Sequence, residues 1–357
     1  MKILICSNYS YPHIGGSEEV IRNIASRLGS KYKCDCYISS ATTRNSFTHE
    51  NVKYIPLPSY YKDFVSHVRS LKPDRIFIYG DNFLHFPDIV KNPSIMGASI
   101  SIALLGMNAM EKDEDLLKSF LQHHNYFNVI VHSRYYRDYE QMEAYGILVS
   151  VIPNGVNPEE FCGAKEFFRE KYNIRRNSKL CLCVANFFPG KGHDKIPEIM
   201  NTVRDLGYSE KIDFVIVYSD VLIPTSKYLE KQFEASLPIL DNIKFHMLKN
   251  LPRTDVIEAF KDADIFVMPS EKEVFPIVLL ESMAASLPWV SFNVGNSSKL
   301  TGGKSVDFSV TDFASAIVSI LEFSSFGAEL GKQGKEAVAS SYNWNNIVDM
   351  YHSAFSK

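Results

Sequence analysis

The sequence predicts an α/β protein built from two doubly wound parallel sheets. Three observations carry that prediction: short apolar runs recur along the chain, helical spacing fills the gaps, and the alternation restarts after a turn near the middle. The runs are continuously apolar, which means burial on both faces, as in a parallel sheet covered by helices. Strand and helix in alternation are the sequence form of βαβ units.

In the first half, strands are expected at 2–6, 34–38, 52–55, 75–79, 98–104, 128–132 and 149–152. In the second half they are expected at 179–185, 212–218, 242–246, 264–268 and 288–292. Val20, Ile21, Ile24, Ala25 and Leu28 form one apolar stripe of the helix that follows the first strand. Segment 152–161 lies between the halves; Asn154-Gly155 marks a tight turn there, flanked by Pro153 and Pro158. The expected domains are therefore 1–155 and 156–342. Two open α/β sheets facing each other would put their carboxyl ends around one central cleft, where such sheets bind ligands.

Composition agrees with two domains and excludes several functions. At 357 residues the chain exceeds what one hydrophobic core usually organises. Thirty-eight Lys and Arg against 41 Asp and Glu give a net charge of −3, so the chain lacks the basic excess of a nucleic-acid binder. The apolar run at 3–6 is too short for a secretory signal, and no run approaches the roughly 18 apolar residues of a membrane-spanning helix. A cytoplasmic protein is the expectation. Of the cysteines, Cys34/Cys36 and Cys181/Cys183 form two Cys-x-Cys pairs, each with both sulfurs on one strand face. Structural zinc usually uses Cys-x2-Cys with a second pair or two histidines, so buried strand thiols are expected and no metal site.

Three places carry residues suited to chemistry. After the first strand come Gly15 and Gly16, with Ser17 as the expected N-cap and Glu18 and Glu19 in the first helical turn. Glycines there let backbone N–H groups approach an anion at the positive end of the helix, although an ordinary strand-to-helix loop has the same look. After the strand at 179–185, Lys191 stands between Gly190 and Gly192, where its ammonium would reach a diphosphate; taken alone, the stretch fits an exposed turn lysine better. Neither place has Gly-x-Gly-x-x-Gly or a Walker loop, which argues against a nicotinamide enzyme and a nucleoside triphosphatase.

The third place is 269–291, an apolar strand followed by a polar loop and an apolar helix, with Glu273 in the loop and Glu281 in the helix. If all of it were helical, eight steps of about 1.5 Å would separate the two carboxylates by roughly 12 Å. That exceeds the ~5–9.5 Å of an acid/base pair working on one bond, so the two are better suited to gripping different parts of one long ligand. Carboxylates accept from vicinal hydroxyls, and the helix N-terminus near Pro276 and Val278 offers donors to a phosphate between them. Glu281 sits among Val278, Leu279, Leu280, Met283, Ala284 and Ala285, so burial is expected and with it the need for a partner.

These blocks in this order resemble the GT-B glycosyltransferases of family 4, retaining enzymes that use nucleotide-sugar donors. The resemblance covers essentially the whole chain. It rests on 15–18, the hinge 151–161, the loop 186–192, the Glu-x7-Glu block with the strand before it and Gly295 after it, and the end of the chain at 341–355. It implies a GT-B fold in which a terminal helix at about 343–357 packs back on an N-terminal acceptor-binding domain, leaving 156–342 to bind the donor.

It also implies roles. Lys191 would neutralise the leaving diphosphate and Glu273 would bind hydroxyls of the donor sugar. Glu281 would take the ribose. The amides just after Phe275 would face the diphosphate; Pro276 has none, so Ile277 and Val278 would supply them. The amides of Gly15 and Gly16 would stand opposite. No metal or cofactor is implied beyond the substrate itself, a UDP- or GDP-linked sugar. For retention the acceptor would attack from the leaving-group face with a phosphate oxygen taking its proton. The acceptor would be a glycan, a lipid-linked sugar or a small molecule, and lipid acceptors allow peripheral membrane contact. The aromatic and basic segment at 60–72 is the candidate for it, although a packed surface helix of the first domain fits that segment better.

The chain departs from the family pattern at named positions. Asn186 stands where an Arg usually shares the diphosphate. Leu105-Gly106-Met107-Asn108 replaces a His-Gly turn, and Tyr218-Ser219-Asp220 replaces a Gly-x-Gly. These changes motivate a second reading, a catalytically weak GT-B-like subunit that binds a partner or glycan.

Overall fold

The computed structural model describes residues 1–13, 15–163, 168–220 and 224–356. It divides into two compact units, Met1–Asn154 with Trp344–Lys357, and Gly155–Asn343.

The first unit holds β1 (Lys2–Ser7), β2 (Asp35–Ser40), β3 (Phe47–His49), β4 (Val52–Pro56), β5 (Arg75–Tyr79), β6 (Ser99–Ala103), β7 (Phe127–Val131) and β8 (Val149–Val151). Their order in the sheet is β3-β4-β2-β1-β5-β6-β7-β8, parallel throughout except for the β3–β4 pair. Ile3, Leu4, Ile5 and Cys6 of β1 are fully buried, as continuous hydrophobicity in a central strand requires. The stripe Val20, Ile21, Ile24, Ala25 and Leu28 is the buried face of helix Gly16–Tyr32.

The second unit holds β9 (Lys179–Val184), β10 (Ile212–Tyr218), β11 (Ile243–Lys249), β12 (Ile265–Met268), β13 (Trp289–Phe292) and β14 (Gly303–Val306), all parallel, in the order β11-β10-β9-β12-β13-β14. The chain therefore winds outward from β9 in one direction, returns, and winds outward again from β12. The reversal point between β9 and β12 is where an open α/β sheet opens a crevice at its carboxyl edge. The first unit has the same reversal between β1 and β5.

Every expected strand is present, and β3 and β14 are additional. Neither has a run to betray it: β3 is a three-residue edge strand, and β14 reads Gly-Lys-Ser-Val. The N-cap expectation is corrected. Helix Gly16–Tyr32 is entered through Gly15 without a side-chain cap, and Ser17 already lies in its first turn.

The terminal helix Trp344–Phe355 belongs to the first unit, burying Trp344, Ile347, Val348, Tyr351, Ala354 and Phe355. The rings of Tyr351 and Phe355 meet Phe77 of β5 at 5.7 and 5.1 Å. Asn128 Nδ2 donates to the Ala354 carbonyl at 2.8 Å, and the Tyr32 hydroxyl donates to Asp349 at 2.7 Å. Lys357, included in the expected helix, lies outside the described residues. Cys34, Cys36, Cys181 and Cys183 are buried free thiols, and burial pushes Cys36 and Cys183 up to about 12. Helix Tyr61–Leu71, the candidate membrane contact, spends its apolar face inside its own unit by burying Phe64, Val65 and Val68. No single described helix is long and apolar enough to cross a membrane.

Candidate active site

The reversal point of the second sheet brings three turns together. The loop after β9 carries Gly190-Lys191-Gly192, the loop after β12 carries Ser270 to Pro276, and the turn after β13 carries Gly295. Gly190 and Gly192 both have positive φ, at 83° and 72°. Gly192 has a second reason to be glycine, because a Cβ there would stand 1.8 Å from the Pro269 carbonyl oxygen. The Glu271 N–H donates to the Gly190 carbonyl at 2.8 Å, so the first two loops are joined by backbone as well as packing. From the third side, a Cβ on Gly295 would lie 2.5 Å from the Val274 carbonyl oxygen. Gly192 and Gly295 thus allow backbone to approach backbone in the loop that carries Glu273.

On this base the two candidate catalytic side chains meet. Lys191 Nζ donates to Glu273 Oε1 at 2.7 Å, an ion pair across 82 residues of sequence. Each side chain retains exposure, 31% for Lys191 and 13% for Glu273, so the pair faces outward while half sheltered. Helix Ile277–Ala284 begins immediately after, with Pro276 as its cap residue. Glu273 therefore lies in the loop and Glu281 within the helix. The backbone N–H groups of Ile277 and Val278 are in the first turn, where no helical carbonyl precedes them to accept. Phe275 is buried edge-on against Tyr342, ring centroids 5.8 Å apart.

Asn186, which stands where a second cation was expected, uses its side-chain oxygen to accept the Ser219 N–H at 2.8 Å, tying the loop after β10 to that after β9. His193 adds no cation either. Its ring stacks on Phe187 at 4.1 Å, and burial pushes its pKa down to about 4.

Glu281 is buried at 5% exposure and has the partner its apolar neighbourhood demanded. Arg253, the first residue of helix Arg253–Asp262, bonds Glu281 Oε1 through one guanidinium nitrogen. Its other terminal nitrogen donates to Glu160 Oε2 at 2.9 Å, and its guanidinium lies 5.7 Å from the Phe161 ring centroid. Burial works against the charge of Arg253, but the two carboxylates hold its pKa above the usual range. Arg253 belongs to no motif, and its only advance signal was the partner that a buried Glu281 required.

In the first unit, Gly15 is extended (φ −170°), and the carboxylate of Glu18 folds back toward it. Desolvation raises the Glu18 pKa, with the backbone and His13 working in the opposite direction. The turn after β6, where a histidine was missing, is a closed knot. Gly106 (φ 101°) donates its N–H to Asp138 at 2.8 Å and accepts from Arg137, and Asn108 Nδ2 donates to the Leu105 carbonyl at 3.2 Å. His132 is buried and bonded to the Ile152 carbonyl at 2.9 Å.

Comparison with known proteins follows the same outline. The sequence model of a family described as glycosyl transferases group 1 matches residues 164–337. A UDP-Gal:alpha-D-GlcNAc-diphosphoundecaprenol alpha-1,3-galactosyltransferase of Escherichia coli is 28% identical over 182 residues, covering 49% of this chain and 45% of the relative. A D-inositol 3-phosphate glycosyltransferase of Geodermatophilus obscurus is 27% identical over 224 residues, covering 58% and 46%. The chain thus matches less than half the length of these curated relatives. Among solved structures, a sucrose-phosphate synthase of Thermosynechococcus elongatus aligns over 99% of both chains, with a TM-score of 0.80 at 16% identity. The Anabaena protein HepE in complex with UDP-glucose aligns over 100% of both, with a TM-score of 0.78 at 15% identity. The fold class is GT-B, with two Rossmann-like α/β units.

Proposed function

We propose that the chain is a retaining glycosyltransferase that moves a sugar from a nucleotide diphosphate sugar to a glycan, lipid-linked or small-molecule acceptor without using a metal. The observation that carries this reading is the meeting of Lys191 and Glu273 at the reversal point of the second sheet, beside a helix N-terminus. A cation, a hydroxyl acceptor and a row of N–H donors at one sheet edge are what a sugar diphosphate needs.

The roles follow from the chemistry. Lys191 would leave Glu273 for the diphosphate and stabilise the charge that builds on it as the glycosidic bond breaks, aided by the amides of Ile277 and Val278. Glu273, released from the ammonium, would accept from hydroxyls of the donor sugar. Glu281 would hold the ribose, and Phe275 and Asn186 would shape the loops around the donor. Gly15 and Gly16 are proposed as a further pair of donor-binding amides. With the acceptor attacking from the leaving-group face, a phosphate oxygen takes its proton and no protein base is required.

A relative named for UDP-Gal and a structural neighbour holding UDP-glucose support a nucleotide-sugar donor, and a UDP- or GDP-linked sugar is the donor proposed. They do not favour the weak-subunit reading. Membrane contact is not proposed from helix Tyr61–Leu71, whose apolar face is buried. A thermal-shift series with UDP, GDP, ADP and their sugars tests the donor class. One nucleotide series should raise the melting temperature progressively with concentration, because a ligand that binds only the folded state stabilises it by mass action. A flat response to all three series would remove the basis of the proposal.

A further inference from the structure

The geometry points to Arg253 as a positioning residue that orients Glu281 for the ribose of the donor, an inference that rests on the glycosyltransferase reading above. Three observations converge on it. Glu281 is 5% exposed and sits on a helix whose other buried residues (Leu279, Leu280, Ser282, Met283 and Ala284) include no cation. Arg253, 28 residues earlier in the chain, bonds its Oε1. That guanidinium is itself fixed from two other directions, by Glu160 Oε2 at 2.9 Å and by the Phe161 ring at 5.7 Å. Glu160 is anchored in turn through Oε1, which accepts from Asn157 Nδ2 at 3.3 Å.

The arrangement has the form of a clamp. A carboxylate on a lone side chain sweeps a range of χ angles, and recognition of a vicinal diol requires it to hold one plane. Arginine suits the task because its planar fork can bind two carboxylates in fixed directions, which a lysine ammonium cannot do. Arg253 also supplies the positive charge that lets Glu281 remain an acceptor away from water. The chain thereby links the hinge turn Pro158–Phe161, helix Arg253–Asp262 and helix Ile277–Ala284 through one guanidinium.

The test separates orientation from folding. Dissociation constants for UDP, GDP and their 2′,3′-dideoxy counterparts are measured by calorimetry on wild type, Arg253→Met and Arg253→Lys, with urea midpoints for each. Met keeps the apolar stem against Phe161 and removes the fork. Wild type should bind the ribose form of its nucleotide roughly tenfold or more tightly than the dideoxy form, as expected for hydrogen bonds to a charged group. In Arg253→Met that preference should fall to within about threefold, with the dideoxy affinity little changed. Arg253→Lys should recover only part of it. If both forms weaken equally in Arg253→Met, or the preference is untouched, the positioning role is overturned, whatever the urea midpoints show. If wild type binds no nucleotide, it is the glycosyltransferase reading itself that has failed.

Discussion

Asp138 is the residue where burial most directly sets a measurable property. It is 1% exposed, its Oδ2 accepts the Gly106 N–H, and Oδ1 has no hydrogen-bond partner among the described residues. Desolvation pushes its pKa up to about 6, with the charge of Asp81 adding to the rise and Gly106 and Arg137 opposing it. A folded-state value above the unfolded one means that the native protein binds this proton more tightly. The resulting stability is fully present below pH ~4 and is lost as pH rises through about 6. Wild type should therefore lose on the order of 2 kcal/mol relative to Asp138→Asn between pH 4 and 7, read from urea unfolding at each pH. His132 and His193, both held near 4 by burial, destabilise the two proteins alike on acidification and cancel from the difference. A difference that does not change with pH would contradict the assignment.

At the scale of elements, the candidate site is a problem of loops packed on loops. Gly192 lies at φ 72° with the Pro269 carbonyl where a side chain would go, so Gly192→Ala forces the loops after β9 and β12 apart. It should cost about 2 kcal/mol or more of stability and weaken nucleotide binding, because Lys191 and Glu273 stand on the two loops it separates. A variant with the urea midpoint and nucleotide affinity of wild type would show that the close approach is not needed.

The loop pairing was not legible in the sequence. Gly190-Lys191-Gly192 taken alone looked more like an exposed turn, because nothing in that stretch announces the carbonyl of Pro269. The strands were legible because burial on both faces leaves an unbroken apolar run, as at Ile3 to Cys6. The edge strands β3 and β14, which bury less and pair on one side, left no such run. Ser17 was misplaced as a cap for a related reason. A cap is fixed by where the helix begins, and Gly16 starts it two residues sooner than a cap at Ser17 would.

For the whole molecule, the fold followed from repeated strand–helix alternation, and the sheet orders put a reversal point in each unit. Glu273, Glu281 and Lys191 could be picked out because their spacing on a strand–loop–helix outline has chemical meaning. Arg253 could not, since a partner supplied by a separate helix has no fixed spacing from the residue it serves. The same holds for Asn186, whose side-chain oxygen accepts the Ser219 N–H and so ties the loop after β10 to that after β9. Whether Lys191 and Glu273 together serve a sugar diphosphate is therefore the deciding question. The most direct measurement is the initial rate of nucleoside diphosphate release from UDP- and GDP-linked sugars, with a broad acceptor panel, for wild type, Lys191→Ala and Glu273→Ala. Wild type should release the diphosphate in an acceptor-dependent manner, and each variant should slow that release by about 10²–10³-fold. Tight donor binding with no release on any acceptor, or release that neither substitution slows, would contradict it.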